Sequence, residues 1–209
     1  MIKGKKILLL APHPDDPEYA CGGSIARWSK ENELYYVAFS PCNISLPEGF
    51  AENTLYDELM ASAGILGIPE GNITTFDFPV RRLSEHRQDI LEEMVRLRKS
   101  IKPDIVLMPN SNDIHQDHKA IYEEGLRAYK HSSLLGYELP WNNLQFISNF
   151  HVKLSKDDMT TKWKAISAYR SQEVRAYKSE DFFEGLARVR GLQVGTEFAE
   201  AFELIRWVL

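Results

Sequence analysis

The sequence predicts an α/β fold: a mostly parallel sheet with helices on both faces, to which the C-terminal third adds further strands and helices. Three observations lead there. Residues 6–11 and 104–108 are short, almost wholly apolar runs, as strands buried on both faces are. Ile90, Met94, Leu97 and Ile101 fall on one stripe, the mark of an amphipathic helix. Over residues 5 to 130, strand and helix patterns alternate, the order that builds right-handed crossovers in a parallel sheet.

Each element follows in turn. The run 6–11 is stopped by Pro12, and Gly22-Gly23 allows a tight turn into a helix over 24–30. Residues 34–39, rich in aromatic and β-branched side chains, read as the second strand. Residues 40–53 carry two prolines and a glycine and read as a loop at a strand's C-terminal end, where open α/β sheets keep their function. A helix over 55–66 ends at Gly67, and 73–76 is a short strand. The striped helix covers 84–101, with Glu92 placed to pair with Arg96, and Pro103 stops it. After the strand 104–108, the polar loop 110–113 opens a helix running to about 130. Beyond Trp141 the reading is a strand pair within 145–154, helices over 158–169 and 181–189, and a last strand over 202–208. The whole is Rossmann-like, one domain over 1–209, in line with roughly 100 to 200 residues per domain.

Composition narrows the function. The formal net charge of −5 leaves no electrostatic footprint for a nucleic-acid backbone. Two cysteines without CxxC spacing, Cys21 and Cys42, form neither a disulfide framework nor a thiolate metal cage. No apolar run approaches the roughly 18 residues of a membrane span. The expectation is a cytoplasmic protein without nucleic-acid partners, with homo-oligomer formation left open.

Two clusters carry chemistry. His13-Pro14-Asp15-Asp16-Pro17-Glu18 follows the first strand directly, and Asp113-Ile114-His115-Gln116-Asp117-His118 follows the strand 104–108. Loops at the C-terminal ends of parallel strands share one sheet edge, so their side chains can converge. Imidazole and carboxylate suit zinc, or another divalent first-row metal, and three protein ligands leave a position open for catalysis. If Asp113 caps the following helix with Gln116 as the return partner, His115 and His118 stand three apart on one face. Gly22-Gly23 lacks the full phosphate-binding pattern GxGxxG, and Cys21 has no adjacent base and reads as packing.

His13-Pro14-Asp15-Asp16, Cys21-Gly22-Gly23 and His115-Gln116-Asp117-His118, in this order, resemble the LmbE/PIG-L family of metal-dependent N-deacetylases. Leu66-Gly67, Lys102-Pro103-Asp104, Tyr169-Arg170-Ser171-Gln172 and Ala199-Glu200-Ala201-Phe202 extend the match. The resemblance implies removal of an acyl group from an amino sugar, commonly N-acetylglucosamine on a larger aglycone or nucleotide. It also implies Zn2+ ligands at His13, Asp16 and His118, a general base at Asp15, and a protonated His115 that stabilises the oxyanion, with Asp117 holding its tautomer and charge. The residues by themselves do not choose between Asp15 and Asp16 as the ligand.

The chain departs from the family pattern where the sugar is recognised. Val80, followed by Arg81 and Arg82, stands where many relatives have aspartate, and Leu55 and Tyr56 stand where relatives often carry an arginine. Arg81, Arg82 and Arg87 become candidate binders of a phosphate or carboxylate on a small acylated amino-sugar substrate. A metal-dependent amidase or esterase of a non-sugar metabolite is the alternative.

Overall fold

The computed structural model describes residues 2–208. Side chains of the first strand, β1 (Lys6–Ala11), alternate between two separate cores. Ile7, Leu9 and Ala11 pack with Ile25, Leu59 and Ile166 on one face, while Leu8 and Leu10 pack with Ile90, Met94 and Ile121 on the other. A strand buried on both faces has no solvent side to call for polar residues, which is why its sequence is an unbroken apolar run. The helices that cover the first face are α1 (Asp16–Trp28), α2 (Thr54–Ile65) and α5 (Lys156–Ser167); α3 (Arg87–Ile101) and α4 (Gln116–Ala128) cover the second.

The remaining strands are β2 (Glu33–Ala38), β3 (Ile73–Thr75), β4 (Ile105–Pro109), β5 (Ser133–Tyr137), β6 (Phe150–Leu154) and β7 (Phe198–Arg206), the last preceded by α6 (Glu180–Gln193). They form one sheet in the order β3-β2-β1-β4-β5-β7-β6. The first five are parallel, and β7 runs antiparallel to both β5 and β6. The mostly parallel α/β sheet expected from the sequence is therefore present. Chain order reverses at β1, whose neighbours are β2 on one side and β4 on the other. Loops leaving β1 and β4 part to opposite faces at such a point and open a crevice between them.

Several boundaries differ from expectation. α1 begins at Asp16, well before residue 24, because Pro17 lies in the first turn, where no backbone N–H is needed. Its interruption falls at Cys21 (φ −143°, ψ 30°), and the segment beyond is capped by Glu200, whose carboxylate accepts from Gly23 N (3.0 Å) and Ser24 N (2.6 Å). Gly22-Gly23 thus makes room for protein: a Cβ on Gly23 would lie 2.6 Å from Leu154 Cδ1 and one on Gly22 3.0 Å from Lys162 Cγ. The strand Ser133–Tyr137 is absent from the sequence reading, since Ser-Leu-Leu-Gly-Tyr is short and holds a glycine. Gly136 is needed there, because a Cβ would stand 2.8 Å from Asn110 Cα in the loop after β4. In place of a strand pair over 145–154 there is one strand, β6, whose partner is β7. β7 itself starts at Phe198, not at 202. Among the described residues no helix is long and apolar enough to cross a membrane.

Candidate active site

The crevice between the β1 and β4 loops holds His13, Asp15, Asp16, His115 and His118 in one cavity of about 260 Å³. The β1 loop is fastened from below. Pro14 O accepts from the hydroxyls of Tyr36 (2.5 Å) and Tyr169, and both hydroxyls also contact the buried Glu18, which Ser62 reaches at 2.9 Å. Burial pushes the Glu18 carboxyl up to about 8 against these hydrogen bonds. With Pro12, Pro14 and Pro17 stiffening it, the loop presents His13 and Asp16 with little freedom left to lose.

Three atoms of ligand type converge. His13 Nδ1 stands 3.2 Å from His118 Nε2, and Asp16 Oδ2 lies 3.3 Å from each. Donors about 2.0–2.1 Å from a tetrahedral ion stand about 3.3–3.4 Å apart, so this triangle has the edges that such an ion requires. The other ring nitrogens are tied to carboxylates: His13 Nε2 donates to Asp117 Oδ2 (3.0 Å) and His118 Nδ1 to Asp113 Oδ2 (2.8 Å). A carboxylate can only accept here, so the outer nitrogens keep their protons and the inner ones direct lone pairs at the shared centre. Two lone pairs facing each other at 3.2 Å need a cation between them. In the metal-free chain protons fill that need. Burial opposes charge on both imidazoles, but the Asp16 carboxylate and hydrogen bonds to Asp117, Asp113 and Asp16 outweigh it, lifting His13 to about 9 and His118 to about 10. Asp16 is held far below the usual carboxylate range, because His118 and His13 outweigh the cost of its burial.

His115 is near but differently committed. The imidazole nitrogens of His13, His115 and His118 lie within 4.8 Å of one another, so a three-histidine site is the geometric rival. However, His115 is the N-cap of α4, and its Nδ1 accepts from Asp117 N at 3.2 Å. An accepting Nδ1 leaves the proton on Nε2, which is then a donor and has no lone pair for a metal. Burial, and then the charges of His118 and His13, hold its pKa down at about 4. The ring in this structure is neutral with Nε2–H, where the resemblance implies a protonated one. The expected capping is corrected: Asp113 is not the cap but accepts from His118 Nδ1 and, through Oδ1, from His115 N (2.9 Å). Asp117 does not support His115 through its carboxylate. That group accepts from His13 Nε2, Arg81 N (2.6 Å) and Leu83 N (3.1 Å), and its backbone N–H fixes the His115 tautomer.

Asp15 precedes α1, makes no side-chain cap hydrogen bond and lines the cavity. Burial, then the Asp16 charge, lifts its carboxyl to about 6, which suits a group that takes and returns a proton near neutrality.

Of the three arginines singled out in the sequence, Arg81 lines the cavity. Arg82 pairs with Glu85 (2.6 Å) and Arg87 with Glu124 (2.6 Å) and Glu123 (2.9 Å), and neither lines it. Val80 is buried in the cavity wall. Residues the sequence reading missed complete the lining: Ser45, Trp141, Asn142, Arg175 and Tyr177. Trp141 and Tyr177 are stacked at 4.0 Å and 9°. Arg175 follows the Tyr169–Gln172 segment by three residues, the one sequence signal that pointed toward it.

Comparison with known proteins agrees with this architecture. Residues 8–129 match the family PIG-L: GlcNAc-PI de-N-acetylase. The chain is 26% identical over 175 residues to the uncharacterized deacetylase YaiS of Escherichia coli (strain K12), covering 81% of this chain and 92% of that protein. It is 25% identical over 227 residues to the diacetylchitobiose deacetylase of Thermococcus kodakarensis, covering 96% and 83%. The crystal structure of the conserved protein TT1542 from Thermus thermophilus superposes with a TM-score of 0.82 at 26% identity, over 98% of this chain and 96% of that one. The β1 and β4 loops that build the cavity both fall within the matched residues, and the chain belongs to the PIG-L family of de-N-acetylases, hydrolases of an amide bond.

Proposed function

We propose that this protein removes the N-acetyl group from an amino sugar with the help of a divalent metal, zinc in the first instance, held by His13 Nδ1, Asp16 Oδ2 and His118 Nε2. The observation that carries the reading is the triangle of these atoms, 3.2–3.3 Å on each edge, beside the Asp15 carboxylate, which makes no side-chain cap hydrogen bond. Bound there, the ion would supply Lewis-acid polarisation of the acetyl carbonyl and acidify the attacking water. Asp15 accepts a proton from that water as the C–O bond forms. It returns the proton to the nitrogen as the C–N bond breaks, giving acetate and the free amine. His115 Nε2–H donates to the carbonyl oxygen as negative charge builds on it. A neutral imidazole whose tautomer is set by the α4 backbone needs no reorganisation for this. Asp113 and Asp117 orient His118 and His13. The deacetylase named in Thermococcus kodakarensis and the matched family both support an N-acetylglucosamine unit as the reacting part.

The test is acetate release from N-acetylglucosamine, diacetylchitobiose and an N-acetylated non-sugar amide, before and after chelation and after zinc is restored. Release from the sugars that stops with chelator and returns with metal supports the reading. Release from the amide alone moves the substrate outside sugars, and release that survives complete metal removal contradicts the mechanism.

A further inference from the structure

Three buried hydroxyls lack a hydrogen-bond partner among the described residues, those of Tyr19, Ser24 and Tyr129. Of these, Tyr19 alone stands in the first turn of α1, beside the active-site loop, and it is 2% exposed. A phenol taken out of water normally keeps a partner, because an unpaired buried hydroxyl costs stability that phenylalanine in the same place would not. The ring itself does not call for tyrosine. It is boxed in by Phe183 (centroids 5.5 Å apart), Trp141 (5.8 Å) and Tyr177 (5.4 Å), contacts that phenylalanine would make equally well. What tyrosine adds is the hydroxyl, held in place by three rings.

The helix sets where that hydroxyl points. Tyr19 N donates to Asp15 O at 3.1 Å, so the two residues stand one turn apart on one face of the helix. Long helical side chains lean back toward the N-terminus over the residue four before, here Asp15. Burial, then the charge on Asp15, holds the Tyr19 phenol far above its ordinary pKa, so it keeps its proton; Glu18 and Arg175 act on it less strongly. Glu18, the other carboxyl near it, is already engaged by Tyr36, Tyr169 and Ser62. Asp15 makes no side-chain cap hydrogen bond that would restrain it. A fixed donor without a partner therefore stands one turn from the carboxylate that the reaction uses.

We infer that Tyr19 is a positioning residue: its hydroxyl donates to the Asp15 carboxylate when Asp15 faces the reacting centre, and so fixes the direction in which that carboxylate takes and returns the proton. The inference rests on Asp15 being the general base of the deacetylase reading. Proton transfer needs the accepting oxygen within hydrogen-bond reach and correctly aligned, and a carboxylate held by a rigid donor keeps that alignment where an unheld one samples several rotamers.

The experiment is a double-mutant cycle of Tyr19→Phe and Asp15→Asn, read by acetate release from diacetylchitobiose with metal-loaded protein, beside a crystal structure of the zinc-loaded wild type. Tyr19→Phe alone is expected to lower kcat by about 10- to 100-fold and to change KM by less than about threefold. In the Asp15→Asn background the same substitution changes kcat by less than about threefold, because the hydroxyl acts through a carboxylate that is no longer there. The melting temperature of metal-free Tyr19→Phe stays at or above wild type, since the substitution deletes an unpaired buried hydroxyl. In the zinc-loaded crystal, Tyr19 Oη lies about 2.5–2.7 Å from an Asp15 carboxylate oxygen. An unchanged kcat overturns the inference. Equal losses in both backgrounds with a lowered melting temperature mark a purely structural hydroxyl, and an effect carried by KM marks one that touches substrate; either overturns it, as does a crystal in which Tyr19 Oη bonds to Tyr177 or to water alone. If the wild type releases no acetate, the deacetylase reading fails, and the crystal still decides whether Tyr19 holds Asp15.

Discussion

Metal binding and proton release must be tightly linked in this site. The Asp16 carboxylate and the hydrogen bonds to Asp117 and Asp113 lift His13 to about 9 and His118 to about 10, so at pH 7 the metal-free site holds at least one proton on the inner nitrogens, which must leave before both can act as ligands. At least one proton is expected to be released per ion at pH 7, and the apparent association constant rises by about 10-fold or more per pH unit until pH approaches 9. The sign for stability is opposite in the two forms. Folded-state imidazole pKa values above the ordinary 6.5 stabilise the metal-free fold fully below that value, and the contribution is lost as pH rises through 9 to 10. The metal-loaded form instead gains on the metal-free form over the same range. Calorimetric titration of zinc in buffers of different ionisation enthalpy gives the proton count directly. A count below one, or an affinity that does not change between pH 6 and 8, would refute the reasoning.

Three further outcomes follow from the geometry. Asp15→Asn keeps one equivalent of metal and loses about 10²- to 10⁴-fold in kcat; near wild-type kcat with metal bound would remove Asp15 as the base. His115→Ala also keeps its metal and loses about 10²- to 10³-fold, checked by elemental analysis beside kinetics; loss of the metal would favour the three-histidine set. Lys162→Met leaves the Glu200 carboxylate buried without its ammonium partner at 2.7 Å, costing about 3–5 kcal/mol, or roughly 10 °C in melting temperature. An unchanged melting temperature would show that the Gly23 and Ser24 N–H groups alone satisfy Glu200.

What the sequence shows and what it hides follows from how local each feature is. The β1 and β4 strands are unbroken apolar runs, and their loops carry imidazole and carboxylate within a few residues, so the sheet edge and its cluster are readable directly. Pro17 and Gly22-Gly23 mislead, since proline in a first turn and glycine under a neighbouring side chain look like helix breakers without their surroundings. Asp113-x-x-Gln116 has the spacing of a capping box, but the carboxylate is claimed by His118, five residues on. Asp117 sits beside His115 in sequence and serves His13 from 104 residues away. Arg175 and Tyr177 join the cavity through tertiary packing of a segment with no strong periodicity, and only the Tyr169–Gln172 segment just before them points their way. Arg82 and Arg87 are equally visible in the sequence as Arg81, and what separates the three is where Glu85, Glu123 and Glu124 come to lie.

The identity of the metal ligands is tested most directly by anomalous diffraction from crystals of the zinc-loaded protein. One strong peak is expected about 2.0–2.2 Å from each of His13 Nδ1, Asp16 Oδ2 and His118 Nε2, with His115 Nε2 outside coordination distance. A peak coordinated by His115 in place of Asp16, or no peak in the cavity at full zinc loading, would contradict it.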